Sequence, residues 1–260
     1  MSYTDIDDSS VHFQTTLYTG NGGTLAVTND GNSDLQPDWV WTKKRSDTSH
    51  HALVDSSRGA TKQIYTNLTA AEETVSGVTA FNTDGFTLGS NGTANLNGAT
   101  YVAWQWKANG GTTASNTTGS VTSTVQVNSD AGFSIVTFDS ASSGNFSVGH
   151  GLGVQPAMII TKNREGTGQW YTWHQHLTGG TSNTSYLLSL NRTDAEESFA
   201  NAWGAGVTSS VFGMQSGNTA TASNDYIAYC FAEKQGYSKF GDYKGNGNAN
   251  GPFVYTGFKP

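Results

Sequence analysis

The chain has 260 residues, a formal charge of −7 and one cysteine, and only 13 % of its residues are charged. Without clustered Lys and Arg it makes a poor nucleic-acid surface. One cysteine excludes an intrachain disulfide, and no run approaches the roughly eighteen apolar residues of a spanning helix. Seven Trp, eleven Tyr and twelve Phe set the chain apart from a disordered one. Its 32 glycines, with abundant Ser, Thr and Asn between apolar runs, suit short strands joined by many turns.

In chain order, the acidic stretch 1–12 reads as a polar lead-in, too poor in apolar residues for a secretion signal. Asp5, Asp7 and Asp8 could attract a cation, but the glycine and closing glutamate of a calcium loop are missing. Residues 17–23 end a strand in a glycine turn. Residues 36–45, Gln-Pro-Asp-Trp-Val-Trp-Thr-Lys-Lys-Arg, predict a strand. Pro37 can open it, three apolar residues suit burial on both faces, and the basic cluster returns the chain to water. Residues 67–73 predict one helical turn capped by Thr69. Residues 84–89 predict a turn and a strand, and the aromatic run 101–107 predicts a closing strand.

The same order then recurs. Residues 132–138 predict an opening strand, and 155–164, Gln-Pro-Ala-Met-Ile-Ile-Thr-Lys-Asn-Arg, repeat the Gln-Pro strand. Residues 191–197 match 67–73 at five of seven positions. Phe212 takes the place of Phe86, and residues 226–231 take the place of 101–106. Four landmarks in one order predict an internal duplication. The expected fold is all-β, with two tandem jelly-roll-like sandwich units. The first, with its lead-in, spans 1–108, a Gly/Ser/Thr-rich linker spans 109–124, and the second unit spans 125–260 and ends in a strand-like segment. Residues 236–260 either complete the second unit or begin a third. Trp39, Trp41, Trp104, Trp106, Ile159, Tyr226 and Phe231 are expected in the core, and Cys230 as a buried structural thiol.

The search for chemistry returns little. No phosphate-binding loop or nucleophile elbow is present. Residues 149–153, Gly-His-Gly-Leu-Gly, resemble a dinucleotide loop, but no βαβ pattern surrounds them and they read as a turn. Glycosidase chemistry needs two opposed carboxylates. Glu72-Glu73 and Glu196-Glu197 are adjacent pairs on expected helical turns and read as structural. One stretch stands out: in a strand Trp170, Thr172, His174 and His176 share a face, where rings could stack on a glycan or two imidazoles bind a metal. The first half has His51-Ala52-Leu53-Val54-Asp55 in that place. The same pattern also suits a packed core strand. No cofactor is expected, and no enzyme.

Residues 17–22, 36–45, 58–60, 101–107, 132–138, 148–156, 226–233 and 253–260 together resemble a family of repeated β-rich virion proteins of marine tailed bacteriophages, tail-fibre-like or of undefined function. The resemblance covers most of the chain and implies a lectin-like β-sandwich on a phage particle, assembled in the bacterial cytoplasm. It carries no catalytic residue. Similar proteins continue past Phe258-Lys259-Pro260, which the resemblance reads either as a short member or as the anchoring part of a longer system. The expected role is a tail- or fibre-associated structural protein contributing to assembly and host-surface attachment. The alternatives are a capsid decoration protein and a carbohydrate-binding (less readily carbohydrate-cleaving) module. Expected partners are other virion proteins, further copies of the chain (a trimer first) and a host-surface glycan, with no nucleic acid or membrane.

Overall fold

In the computed structural model, which describes residue 4 and residues 6–258, nearly every regular element is a strand. The first half carries β1 (Phe13–Thr19), β2 (Leu25–Val27), β3 (Trp39–Lys44), β4 (His51–Asp55), β5 (Lys62–Tyr65), β6 (Glu73–Thr74), β7 (Val78–Phe81), β8 (Phe86–Leu88), the one-turn helix α1 (Gly92–Asn95) and β9 (Thr100–Trp106). The second half carries β10 (Ala114–Asn116), β11 (Ser123–Asn128), β12 (Phe133–Asp139), β13 (Asn145–Gly149), β14 (Met158–Asn163), β15 (Tyr171–His174), β16 (Tyr186–Ser189), β17 (Glu197–Ser198), β18 (Val211–Gln215) and β19 (Asp225–Phe231).

A six-stranded sheet runs β1-β9-β3-β4-β5-β6, and an eight-stranded one runs β10-β11-β12-β19-β14-β15-β16-β17. Leaving aside β10 and β11, the second order repeats the first strand for strand. Both Gln-Pro strands lie between a closing aromatic strand and the next strand in sequence: β3 between β9 and β4, β14 between β19 and β15. Each large sheet carries a smaller partner, β2-β8-β7 in the first half and β13-β18 in the second.

The period of two along each strand shows how these sheets stack. Val40, Val54 and Ala103 face inward with Phe86 and Leu88 of the three-stranded sheet. Their neighbours Trp39 and Leu53 point the other way, into a core shared with Phe133, Ile135, Ile160, Ile227, Tyr229 and Phe231 of the second half. The opposite face of the eight-stranded sheet, with Val136, Phe138, Ile159, Tyr226 and Cys230, packs on Phe146, Val148, Phe212 and Met214 of the two-stranded sheet and on Trp203. The result is a four-layer stack in which the two large sheets lie face to face. Both are buried on two sides. This is why their central strands read as near-continuous apolar runs instead of alternating ones.

Three expectations change here. Residues 109–124 include β10, an edge strand of the large sheet, and the approach to it is tightly held. Buried Asp38 accepts the backbone N–H groups of Ala108 (2.7 Å), Gly110 (2.9 Å) and Gly111 (2.8 Å), so the junction is clamped. The helical turn expected at 67–73 is absent, because tertiary partners use its backbone. Thr69 carbonyl accepts from Gly168 N–H and Lys162 Nζ, and Glu72 N–H donates to Arg164 carbonyl. Beyond β19 the described residues contain no strand, so the strand-like segment expected at 252–260 is irregular as far as Phe258; Lys259 and Pro260 lie outside the described residues.

The core expectation divides. Trp39, Ile159, Tyr226 and Phe231 are buried, whereas Trp41, Trp104 and Trp106 are half-buried. Cys230 is fully buried, and burial pushes its thiol up to about 12.

The Gly-His-Gly-Leu-Gly stretch is a turn leaving β13, and it buries His150 completely. Its Nδ1 accepts Leu152 N–H at 3.2 Å, which fixes the neutral ring with its proton on Nε2, donated to Thr208 carbonyl at 3.2 Å. Burial lowers this histidine to about 4 from an ordinary 6.5. The unfolded chain therefore binds the proton first as pH falls. The stabilisation is complete above pH 6.5 and is lost progressively towards pH 4. One pKa unit is about 1.4 kcal/mol, so acidification to about pH 4.5 should cost roughly 2–3 kcal/mol through this group. His150→Gln retains a donor and an acceptor but cannot titrate. Urea unfolding of both proteins at pH 7 and 4.5 checks this: the variant should lose less stability, and equal losses would refute the assignment.

Candidate functional site

Trp170, Thr172, His174 and His176 do not form one exposed surface. Trp170 lies deep between the two large sheets, and its indole N–H donates to the carbonyls of Tyr65 (3.0 Å) and Leu68 (3.2 Å) in the first half. Thr172 is buried too. Neither can stack on a glycan. β15 stops at His174, and only from there does the chain reach the surface.

The two imidazoles do come together, with ring centroids 5.6 Å apart. His174 Nδ1 accepts the backbone N–H of His176 at 3.2 Å, and burial with His176 beside it keeps His174 below its ordinary value. His176 Nδ1 lies 2.7 Å from Asp242. Gln175 between them donates to Glu233 (3.1 Å) and to Phe240 carbonyl (3.0 Å), which anchors the segment after β19 against the end of β15. Gln175, His176, Glu233, Phe240 and Asp242, but not His174, floor a groove of about 630 Å³, walled by Tyr243, Phe253, Val254 and Tyr255. Phe253 is 90 % and Tyr255 72 % exposed. Hydrogen-bonding groups beside aromatic faces suit a polar ring such as a sugar. Among the described residues no three His, Cys, Asp or Glu side chains gather to hold a metal, and no helix is long and apolar enough to cross a membrane. Of the cation candidates, Asp8 caps a short turn by accepting from Ser10 and Ser33, and Asp5 lies outside the described residues.

The glutamate pairs do not face each other across a cleft. Glu72 accepts from Arg58 Nη1 (3.0 Å) and from Arg164 Nε (3.0 Å) and Nη2 (3.2 Å). Burial opposes its charge, but the Arg164 hydrogen bonds and the Arg58 charge hold its carboxyl below the usual range. Glu196 accepts from the Thr178 hydroxyl and backbone on the surface. Arg58, wholly enclosed, also donates through Nε to Asp55 at 2.5 Å, while the Tyr229 hydroxyl donates to the same carboxylate at 2.7 Å. Through Tyr229 and Arg164 this cluster is a clamp between halves.

A second cavity, of about 270 Å³, opens between the large sheets where Trp41 and Trp106 are half-buried. Trp39, Phe133, Ile160 and Phe231 form its buried floor, and Phe13, Met158 and Phe240 stand with the two tryptophans around its rim. Strand alternation could identify these rings as one face, but not that the face is left partly uncovered.

The stack defines an all-β sandwich-type protein with an aromatic-walled groove and an aromatic-lined cavity. Residues 8–260 match the family described as a domain of unknown function (DUF7483), and the chain belongs to that family. No curated protein and no solved structure matches it.

Proposed function

We propose that the chain is a non-enzymatic structural protein of a tailed-phage particle, tail- or fibre-associated, that works as an oligomer. The observation that carries this reading is the exposed apolar run Phe253-Val254-Tyr255, with exposed Tyr243, on a segment without strand partners. Large apolar side chains clustered in water mark a contact surface. A non-enzymatic role is supported by Asp55, Arg58 and Glu72, whose charges are taken up by one another and by Tyr229 and Arg164 of the second half. The repeated strand order supports reading those halves as a duplicated unit. Other particle proteins and further copies of the chain, a trimer first, are the proposed partners, and the virion is the proposed location. A capsid decoration role would use the same contact.

The second reading is carbohydrate binding, favoured by the His176–Asp242 pair beside Tyr243 and Tyr255. In that case the groove would serve host-surface attachment.

Sedimentation of the full-length protein at micromolar concentration tests the first reading. The native chain should form a discrete oligomer, and a Phe253→Ser/Tyr255→Ser variant should sediment as a folded monomer. A native protein that stays monomeric at every concentration, with this segment free of neighbours in a map of the particle, would contradict it.

A further inference from the structure

The exposed run Phe253-Val254-Tyr255 lacks a sheet to join, and β1 lacks a strand on its outer side. On the reading of that run as an assembly contact, we infer that residues 252–258 of one copy add as an antiparallel strand to the open edge of β1 in a second copy.

The two large sheets end in β1, β6, β10 and β17. β6 and β17 have two residues each and β10 three, too short to template much pairing. β1, by contrast, pairs with β9 through seven residues without a bulge. Its sequence, Phe-Gln-Thr-Thr-Leu-Tyr-Thr, has neither charge nor proline, two devices that protect a sheet edge. In an antiparallel ladder, successive residues turn their N–H and C=O to opposite sides. Gly20 N–H donates to Ala99 carbonyl and Lys107 N–H to His12 carbonyl, so the even-numbered residues of β1 serve β9. The backbone groups of Phe13, Thr15, Leu17 and Thr19 face outward, and no described residue bonds to them. The Leu17 side chain is 60 % exposed beside them.

The second half shows what such an edge takes. The counterpart of β1 there is β12, since Phe133 pairs with Phe231 as Phe13 pairs with Trp106. β12 is not an edge, because β11 covers it as an antiparallel strand, with Ser123 opposite Phe138 and Asn128 opposite Phe133. β11 comes from the stretch that follows the closing strand β9. In the second half the stretch that follows the closing strand β19 holds the corresponding place, and no strand or bridge includes its residues 252–258. Phe253, Val254, Tyr255 and Thr256 are all residue types that favour strands. Asp242 is drawn to His176 at the end of β15, so within one copy the run lies over the groove and not along its own β1.

Antiparallel addition satisfies both pieces at once. The two-residue period lets Phe253 and Tyr255 share the face of Leu17, so apolar surface is covered as the outward backbone groups are paired. Pairing of β1 with β1 of a second copy would fill the same edge but leave Phe253-Val254-Tyr255 in water. Strand-to-edge addition is head-to-tail, and it closes as a mutual dimer or as a ring such as a trimer.

Two complementary variants test this. Thr15→Pro/Leu17→Lys blocks only the edge, because Thr15 turns its N–H outward, where proline is tolerated. Phe253→Ser/Tyr255→Ser blocks only the added strand. Each variant, confirmed folded by circular dichroism, should sediment as a monomer. Their equimolar mixture should form a two-chain complex, since one brings an intact strand and the other an intact edge. An edge variant that keeps the native oligomer, or a mixture that stays monomeric, would overturn the inference and leave the assembly reading standing. A native protein monomeric at every concentration would bring down both. Amide hydrogen exchange gives the answer even if the edge variant does not fold. Thr15 and Leu17 N–H should exchange about tenfold slower in the native oligomer than in the Phe253→Ser/Tyr255→Ser monomer, as one added hydrogen bond can supply. Equal exchange in the two would refute the pairing.

Discussion

Replacing Arg58 with methionine should destabilise the protein by about 3–5 kcal/mol, the usual loss when one partner of a buried ion pair is removed. The guanidinium is enclosed and satisfies four different groups: the Asp55 carboxylate, the Glu72 carboxylate and the carbonyls of Lys62 and Leu53. Burial opposes its charge, but the Asp55 and Glu72 carboxylates outweigh that and keep it protonated. Without Arg58, Asp55 stays wholly buried with only the Tyr229 hydroxyl and a backbone N–H near it. Glu72 would still pair with Arg164. The uncompensated Asp55 charge is therefore the main cost, and a double variant separates it from lost packing. Arg58→Met with Asp55→Leu should recover a large part of the loss, because apolar residues of similar size often replace a buried pair without penalty. Guanidinium unfolding of the three proteins measures this. A single variant within about 1 kcal/mol of native, or a double variant worse than the sum of its parts, would rule the clamp out.

Much of the fold was legible because the strongest strand signals are backbone-level ones. Trp39-Val40-Trp41 and Met158-Ile159-Ile160 are too short and too apolar for an amphipathic helix, and each is bracketed by proline and Thr-Lys. They became central strands buried on both sides. The recurrence of landmarks also gave the chain order of strands. What it could not give was the face-to-face stacking of the two large sheets. Period-two alternation groups Trp170 with Thr172 and His174, but it says nothing of what covers that face. The cover came from Tyr65 and Leu68, more than 100 residues earlier. Arg58 shows the same limit. Its Arg-Gly-Ala context stood out in the sequence, yet its partner Tyr229 is 171 positions away. The helical turn at 67–73 failed for a related reason, since local propensity lost to backbone hydrogen bonds made across the interface. As for the groove, the sequence pointed to His174 and His176 but missed Asp242, Tyr243 and Tyr255. These lie in a segment with no periodic signal, where glycines and asparagines alternate with single aromatics.

Truncating Trp170 to alanine should cost about 3–5 kcal/mol, the usual range for a large aromatic core side chain, and its effect on cooperativity is as informative as its size. The indole fills the shared core with Leu53, Ile64 and Ile160, and its N–H satisfies the Tyr65 and Leu68 carbonyls. Removing it therefore opens a cavity and orphans two acceptors at the same interface. Trp170→Phe retains most of the volume but not the donor, and should fall between the native protein and the alanine variant. If the two halves fold as one stack, each variant should shift a single thermal transition without splitting it, because both large sheets lose their common cover together. If instead each half were stable alone, the shared core would be a late docking contact. Truncating Trp170 would then separate the melt into two transitions and leave the first half's own stability unchanged. Differential scanning calorimetry of residues 1–260 distinguishes the two. The three-way hydrogen bonding of Asp38 to Ala108, Gly110 and Gly111 favours the single transition, since the junction between halves is itself part of the folded structure.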